Sequence, residues 1–274
     1  AVGVTLLAFV SAGWIYWMPI PETFPIGAFT IVLATWMLTR KQRGIYTAVV
    51  MMLLTLSQTI TNVMFGVIGV FVTARNRIIL LAGGVTFLVA ATLAVVQLLA
   101  FPTSVPFFLP QVLAQERTYL TLNPGQWFPR IYDFFAHSYM VADVLLLTPE
   151  LIGVTDRANN ELTTLLVMVA TAVWLALLLI GFRVILKSWA ENTIGRYLIF
   201  ALAGQLALHT VYGDSPFLYS SHFLPLEVLI ALVGLVRLKK RWAYMLLIFL
   251  SASGIYVNGN SVMHGYSLLE SMTP

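Results

Sequence analysis

The sequence predicts an all-α protein, a polytopic transmembrane helical bundle of about eight membrane segments with one long external connection. Two observations carry this prediction. Only 9% of the 274 residues are charged, whereas 59% are hydrophobic. The charges also sit in short clusters between long apolar runs. Because about 20 apolar residues cross a bilayer as a helix, these runs predict a multi-pass protein surrounded by membrane lipids.

Charge and cysteine content exclude several classes of protein. The formal net charge is +4. Arg and Lys beside membrane spans mark the cytoplasmic side of the protein rather than a site for a polyanion, so no nucleic-acid partner is expected. The chain has no Cys, which excludes disulfides, thiolate catalysis and Cys-ligated metals. A function must therefore be sought among the few polar groups in or near the lipid, because each is costly there.

We expect a single membrane domain over residues 1–274, in three parts. They are a first helical group (1–100), an external connection with an amphipathic helix (101–162) and a second helical group (163–274). The apolar sequence is already under way at Val2, and no basic region of a signal peptide precedes it. This leaves open whether an upstream part of the same protein precedes Ala1.

Eight apolar stretches are candidate spans. The break after the first is marked by Pro19 and Pro21, because proline removes a backbone donor and restricts the residue before it. Some stretches are short for a bilayer, so one or two are expected to be tilted, re-entrant or merged. The stretches are Val2–Met18, Phe24–Thr39, Tyr46–Val72, Ile78–Ala100, Thr163–Leu186, Tyr197–Tyr212, His222–Val236 and Trp242–Val257.

The basic clusters give an orientation and one conflict. Alternating crossings place the clusters at 75–77, 183–196 and 237–241 on one side, which should be cytoplasmic. The cluster at 40–43 falls on the wrong side if Tyr46–Val72 crosses once. A polar belt of Ser57, Gln58 and Asn62 at the middle of that stretch would suit a re-entrant segment lining a cavity. The alternative is a straight helix whose polar face packs on neighbouring helices.

The connection between residues 101 and 162 is predicted to contain short interfacial helices. Its many prolines divide it into pieces, and one piece has helical periodicity. Asp133 and His137 lie on its polar side. This helix could lie flat at the membrane surface and form the base of an external cleft, and the alternative is a loop helix that only covers the surface of the domain. The apolar stripe comprises Ile131, Phe134, Phe135, Tyr139 and Ala142.

The densest polar cluster joins two apolar stretches on the external side. Gly213 and Pro216 supply turn residues, which would place the histidines on either side at the ends of adjacent helices. The spacing gives no His-x-x-x-His or His-x-x-Glu pair on one helical face, so a bound metal is not part of the prediction. The turn also disfavours paired haem ligands. The candidate cleft residues are His209, Asp214, Tyr219, His222 and Glu227.

Three segments together resemble a known family. They are Pro21-Glu22-Thr23-Phe24, Leu56-Ser57-Gln58-Thr59-Ile60-Thr61-Asn62-Val63 and Phe217-Leu218-Tyr219-Ser220-Ser221-His222-Phe223-Leu224-Pro225. In this order they resemble the later membrane helices of bacterial multi-pass glycosyltransferase-like proteins of the C-type fold. The resemblance covers most of the chain in layout, and its motifs are short.

The resemblance implies a transferase of the bacterial inner (plasma) membrane. Such an enzyme takes a sugar from a polyprenyl-phosphate carrier at the external face and passes it to a lipid, glycan or protein. The family's catalytic acid lies on its first external loop, and no matching acidic loop stands at the start of this chain, so the catalytic residue is unknown. The region from His209 to Glu227 would serve the carrier or acceptor, and Arg117 and Arg130 are candidate contacts for the carrier phosphate.

Two other interpretations remain open. The chain could be a non-enzymatic structural or assembly subunit that holds other membrane subunits through its apolar helix faces. A transporter would use the polar belt at Ser57–Asn62, but neither an internal repeat nor a chain of intramembrane charges supports it. The transferase predicts a cleft open to the bilayer near Asp214 or His222, whereas the subunit predicts dry packing there. No cofactor can be named from the sequence.

Overall fold

The structure is a computed structural model that describes most of the chain. The described residues are 2–19, 23–40, 44–57, 60–73, 76–103, 114, 117–120, 123–148, 151–158, 160–213 and 215–270. Gln58, Asp214 and the Pro21-Glu22 pair of the first motif therefore lie outside the described residues.

The described part of the chain is predominantly helical, as predicted, with eleven α-helices. Short 3-10 turns occur at Ile60–Asn62, Arg117–Tyr119, Pro124–Gln126 and Pro216–Tyr219, and a π-helical turn at Asp133–His137. The helices are α1 Val2–Phe9, α2 Ala12–Trp17, α3 Thr23–Leu38, α4 Ile45–Leu56, α5 Val63–Thr73, α6 Asn76–Ala100, α7 Trp127–Tyr132, α8 Glu161–Lys187, α9 Thr193–Val211, α10 Ser220–Val236 and α11 Lys240–Glu270.

Five helical segments are long and apolar enough to cross a membrane, so the chain is a multi-pass membrane protein. Three shorter apolar helices, at Pro25–Leu38, Ile45–Leu56 and Val63–Thr73, accompany them. The five candidate spans are Arg77–Ala100, Glu161–Lys187, Thr193–Val211, Pro216–Val236 and Lys240–Leu268.

The predicted stretch Tyr46–Val72 is two helices rather than one. At about 1.5 Å per residue, α4 and α5 are each about 16 to 18 Å long, too short for a hydrocarbon layer of about 30 Å. They pack against each other so closely that a Cβ added at Gly66 would lie 2.6 Å from the Met52 Cα atom and 2.8 Å from Thr55 Oγ1. Thr47 of α4 and Thr73 of α5 line one recess, so the start of α4 lies beside the end of α5. The re-entrant interpretation itself stays a prediction.

The first predicted stretch is also broken, between α1 and α2. The interruption at Val10 and Ser11 leaves backbone groups that helical bonding does not satisfy. The amides of Ala12 and Gly13 donate to the carbonyls of Tyr139 and Ser138, each at 2.9 Å. The connection therefore supplies the bonds that this helix break needs.

Contacts divide the chain into two compact units. The first unit contains 1–25, 128–192 and 215–274, and the second contains 26–127 and 193–214. In the first unit α8 packs on α10, where a Cβ added at Gly181 would overlap the Ile230 carbonyl. In the second unit α5 contacts α4, α6 and α9. The prediction of one membrane domain stays a prediction.

The connection contains a β-hairpin that the sequence did not predict. Strand β1, Asp143–Thr148, pairs antiparallel with β2, Leu151–Thr155, and Asp143 lies opposite Thr155. The hairpin continues from the predicted amphipathic piece, of which α7 and the π-helical turn are the helical part. In that piece Phe134 and Tyr139 are fully buried, stacked on Phe223 and Trp174. The aromatic stripe thus packs against other side chains of the first unit.

Candidate functional site

Asn258 joins α11 to the rest of the first unit through three hydrogen bonds. Its side-chain amide donates to the carbonyls of Val10 at 2.7 Å and Tyr139 at 3.0 Å. Its oxygen accepts from the Val141 amide at 3.0 Å. One fully buried side chain thus joins α11 to the break after α1 and to the connection. This fixes the polar groups that follow on α11 relative to the start of β1.

Glu227 is buried in the interior of the same unit. It lies on α10, and its Oε2 accepts a hydrogen bond from the Ser138 hydroxyl at 2.6 Å. Ser220, at the start of that helix, is also fully buried and lies against Gly13, where an added Cβ would meet its Oγ at 2.5 Å. Buried polar groups are costly unless paired, so this contact between Glu227 and the connection stabilises one arrangement of the two.

His137 lies between two carboxylates. Its Nδ1 is 2.9 Å from Asp133 Oδ1 and its Nε2 is 2.9 Å from Asp156 Oδ1. Burial by itself lowers the pKa of His137, but the hydrogen bonds and negative charges of Asp133 and Asp156 outweigh it and raise the pKa to about 9. The pKa of Asp156 is lowered: burial opposes this, but the hydrogen bond and charge of His137 prevail. A charged imidazole therefore ties the π-helical turn to the end of the β-hairpin.

A second histidine and aspartate meet where α11 passes β1. His264 Nδ1 lies 2.6 Å from Asp143 Oδ1, which also accepts from the Val144 amide at 2.9 Å. The aspartate side chain is 11% exposed and the imidazole 41% exposed. Close packing holds the pair, since a Cβ added at Gly265 would lie 3.1 Å from Val144 Cγ2. This arrangement presents an oriented imidazole at an accessible surface.

Sequence reasoning missed the pair of Asp143 and His264 because the two residues are 121 positions apart. The available signal was weak. His264 follows Ser261 by one helical turn, but the predicted apolar stretch ends at Val257, so the sequence predicts no helix at these positions. The periodicity of the connection predicted Asp133 and His137 to be neighbours on a helix, but it did not indicate that His137 would be buried.

The predicted cleft residues fall into the two units. Tyr219, His222 and Glu227 belong to the first unit, where His222 is 3% exposed and Tyr219 is half-buried. His209 belongs to the second unit, where its Nε2–H donates to the Gln205 amide oxygen at 2.9 Å. The assignment of these residues to a substrate cleft stays a prediction.

The remaining predicted residues are placed as follows. Arg130 is 6% exposed on α7 in the first unit, and Arg117 lies in an exposed 3-10 turn of the second unit. Within the described polar belt, Ser57 is exposed and donates to the Leu54 carbonyl at 2.8 Å, while Asn62 is fully buried in the turn between α4 and α5. The described part of the belt, Ser57 and Asn62, therefore lies where α4 ends and α5 begins.

The second unit also has a small recess lined mostly by apolar side chains. It lies between the end of α3, the start of α4 and the end of α5, beside Met37, Met51 and Val70. Its lining includes no carboxylate or imidazole among the described residues.

Comparison with known proteins finds no relative: no family model, no curated protein and no solved structure matches the chain. The described residues define a multi-pass helical membrane protein, and its function must be argued from its own residues.

Proposed function

We propose that the chain is the membrane part of a bacterial inner-membrane glycosyltransferase that uses a polyprenyl-phosphate-linked sugar at the external face. The observation that supports this most is the folded connection. Ser138, Tyr139 and Val141 are tied to Glu227, to the break after α1 and to Asn258. The connection thus packs inside the first unit, beside Glu227 within the candidate span Pro216–Val236, and these bonds fix its place there, as positioning a substrate requires.

The carrier would contribute a lipid tail and a phosphate, which make different demands. The tail needs an apolar surface, which the candidate spans supply in contact with membrane lipids. The phosphate suits a guanidinium, which donates two parallel hydrogen bonds. Arg130 is the stronger candidate of the two arginines, because it is buried on α7, shortly before Ser138 in the chain, whereas Arg117 is exposed. The catalytic acid would be supplied by an upstream part of the same protein.

Photolabelling tests the proposal without requiring turnover. The purified chain in nanodiscs is irradiated with a polyprenyl phosphate that carries a diazirine, in the presence of unlabelled polyprenyl phosphate or of the matching polyprenol. We expect labelling that polyprenyl phosphate suppresses and polyprenol does not, and weaker labelling of Arg130→Gln. Equal competition by both lipids would show that the phosphate is not recognised and would overturn the proposal.

One observation favours a second candidate, a non-enzymatic structural or assembly subunit. His222 is 3% exposed and Glu227 is completely buried, so their surroundings in the first unit are packed in the way that this alternative predicts. A subunit would hold other membrane subunits through its exposed apolar faces, such as that of α6, where Leu80 is 78% and Phe87 76% exposed. Gentle purification from native membranes distinguishes the two candidate functions. A structural subunit would copurify with partner proteins in fixed stoichiometry, whereas the transferase would be purified as one longer protein that transfers sugar.

A further inference from the structure

We propose that His264, oriented by Asp143, is a general base that removes the proton from an acceptor hydroxyl at the external membrane surface. This inference rests on the proposed transferase and adds to it a catalytic residue for the acceptor. It stands on the geometry of α11 and β1 within the first unit, and it is independent of the region from His209 to Glu227.

The hydrogen bond determines which nitrogen of His264 acts as the base. A carboxylate only accepts hydrogen bonds, so the 2.6 Å contact with Asp143 Oδ1 requires the proton on His264 Nδ1. In the neutral imidazole the lone pair then lies on Nε2, the nitrogen farther from the aspartate. Asp143 is also fixed by the Val144 amide, so it holds the ring in one tautomer and one orientation. The same carboxylate stabilises the imidazolium that forms when Nε2 takes a proton.

The length of α11 places this base near the end of the candidate span Lys240–Leu268 that lies opposite Lys240. The helix begins at Lys240, within the basic cluster that we assign to the cytoplasmic side. His264 follows Lys240 by 24 residues, which corresponds to about 36 Å of helix, more than the hydrocarbon thickness of about 30 Å. The 41% exposed imidazole is therefore at the external interface, where water-soluble acceptors and lipid-linked sugars meet.

The reaction step is a substitution at the sugar's anomeric carbon. His264 Nε2 takes the proton of the acceptor hydroxyl while its oxygen forms a bond to that carbon. The bond between the carbon and the carrier phosphate oxygen breaks, and its electron pair leaves with the phosphate. The proton then passes from the imidazolium to water. General bases of this kind contribute about 100-fold or more to a rate.

Acylation by diethyl pyrocarbonate tests the orientation of the base without any substrate. The chain has four histidines, and His137, His209 and His222 are 5%, 3% and 3% exposed, so they are internal controls. At neutral pH we expect His264 to be acylated about tenfold faster than the others. Asp143→Asn should slow this reaction, because an amide can donate to Nδ1 and leave the proton on Nε2. Asp133→Asn, which alters the partner of a different histidine, should leave it unchanged.

Sugar transfer by the full-length protein tests the role in catalysis. His264→Gln should reduce the turnover number by about 100-fold or more, with carrier photolabelling and melting temperature unchanged. Transfer within twofold of the unaltered protein would overturn the proposal, as would acylation of His264 no faster than that of the buried histidines. If the unaltered protein fails to bind the carrier phosphate, the proposed function is wrong. In that case, slower acylation of His264 in the Asp143→Asn variant would still support an imidazole oriented by Asp143.

Discussion

At the residue scale, a few buried polar side chains determine how the first unit is assembled. Asn258 satisfies three backbone groups, Glu227 accepts from Ser138, and His137 bridges Asp133 and Asp156. In each case a side chain of one element satisfies a group of another. Because an unpaired polar group is costly in a nonpolar interior, these bonds select one arrangement of the elements.

We predict that the His137 bridge makes stability depend on pH. The pKa of His137 is raised to about 9 in the folded protein, so its contribution is complete below the unfolded value near 6.5 and is lost as pH rises through about 9. The loss is on the order of 3 kcal/mol. The pKa of Asp156 is lowered, so its pH dependence has the opposite sign. The stability that Asp156 contributes is lost as the pH falls through its pKa in the folded protein.

The measurement is the apparent melting temperature in nanodiscs between pH 6 and 10. His137→Asn should have a lower melting temperature at pH 6 and a flatter profile above it. An identical slope in the variant and the unaltered protein would rule out the bridge as its cause.

We also predict that Asn258→Leu destabilises the chain by about 2 to 4 kcal/mol. The substitution removes the side-chain partner of the Val141 amide and of the Val10 carbonyl, and the Tyr139 carbonyl keeps only the Ala12 amide. Asn260→Leu is the matched control, because Asn260 lies on the same helix but is exposed. Unfolding in denaturing detergent gives the free energy of unfolding of both variants. An equal loss of stability in the two variants would contradict the role of Asn258 in joining α11 to the rest of the unit.

At the element scale, sequence patterns located most helices, and the polar belt gave a break within Tyr46–Val72 as one of two interpretations. Apolar length identified the five long candidate spans, whereas the break at Ser11 depends on bonds from Ala12 and Gly13 to the connection. The amphipathic piece of the connection was recognised, but its aromatic stripe packs on α8 and α10. Periodicity identifies an apolar face without saying whether lipid or protein covers it.

We predict that the hairpin of α4 and α5 enters and leaves the membrane on one side. Because the chain lacks Cys, Gly44→Cys and Thr73→Cys each introduce a single thiol at the two ends of the hairpin. Both should react with a membrane-impermeant maleimide from the cytoplasmic side. Ser57→Cys, at the turn, should react more slowly. Labelling of the two ends from opposite sides would show that the stretch crosses the membrane once.

At the scale of the whole molecule, segments far apart in sequence form each compact unit. The first unit combines both ends of the chain with half of the connection, and the second combines the helices between 26 and 100 with α9. Hydrophobic periodicity contains no information on this grouping, because any apolar helix can face lipid or another helix. The pairing of Asp143 with His264 follows from the grouping and was therefore not predictable.

We predict that α11 crosses the membrane with its end at residue 270 outside. Leu238→Cys and Ser267→Cys place single thiols before its start and beyond His264. In intact cells an impermeant maleimide should label Ser267→Cys only, and in inverted vesicles Leu238→Cys only. Labelling of Ser267→Cys from the cytoplasmic side would place His264 away from the external face.

The sequence by itself determined that this is a multi-pass helical membrane protein, because length and apolar composition fix which segments can be stable in lipid. It also identified the residues that are costly to bury, including His209, His222 and Glu227. Only the tertiary structure decided which of them are packed and which side chains meet. It buried Glu227 beneath Ser138, enclosed His137 between two aspartates and left His264 accessible beside Asp143. Such pairings depend on long-range contacts, which composition and periodicity do not encode.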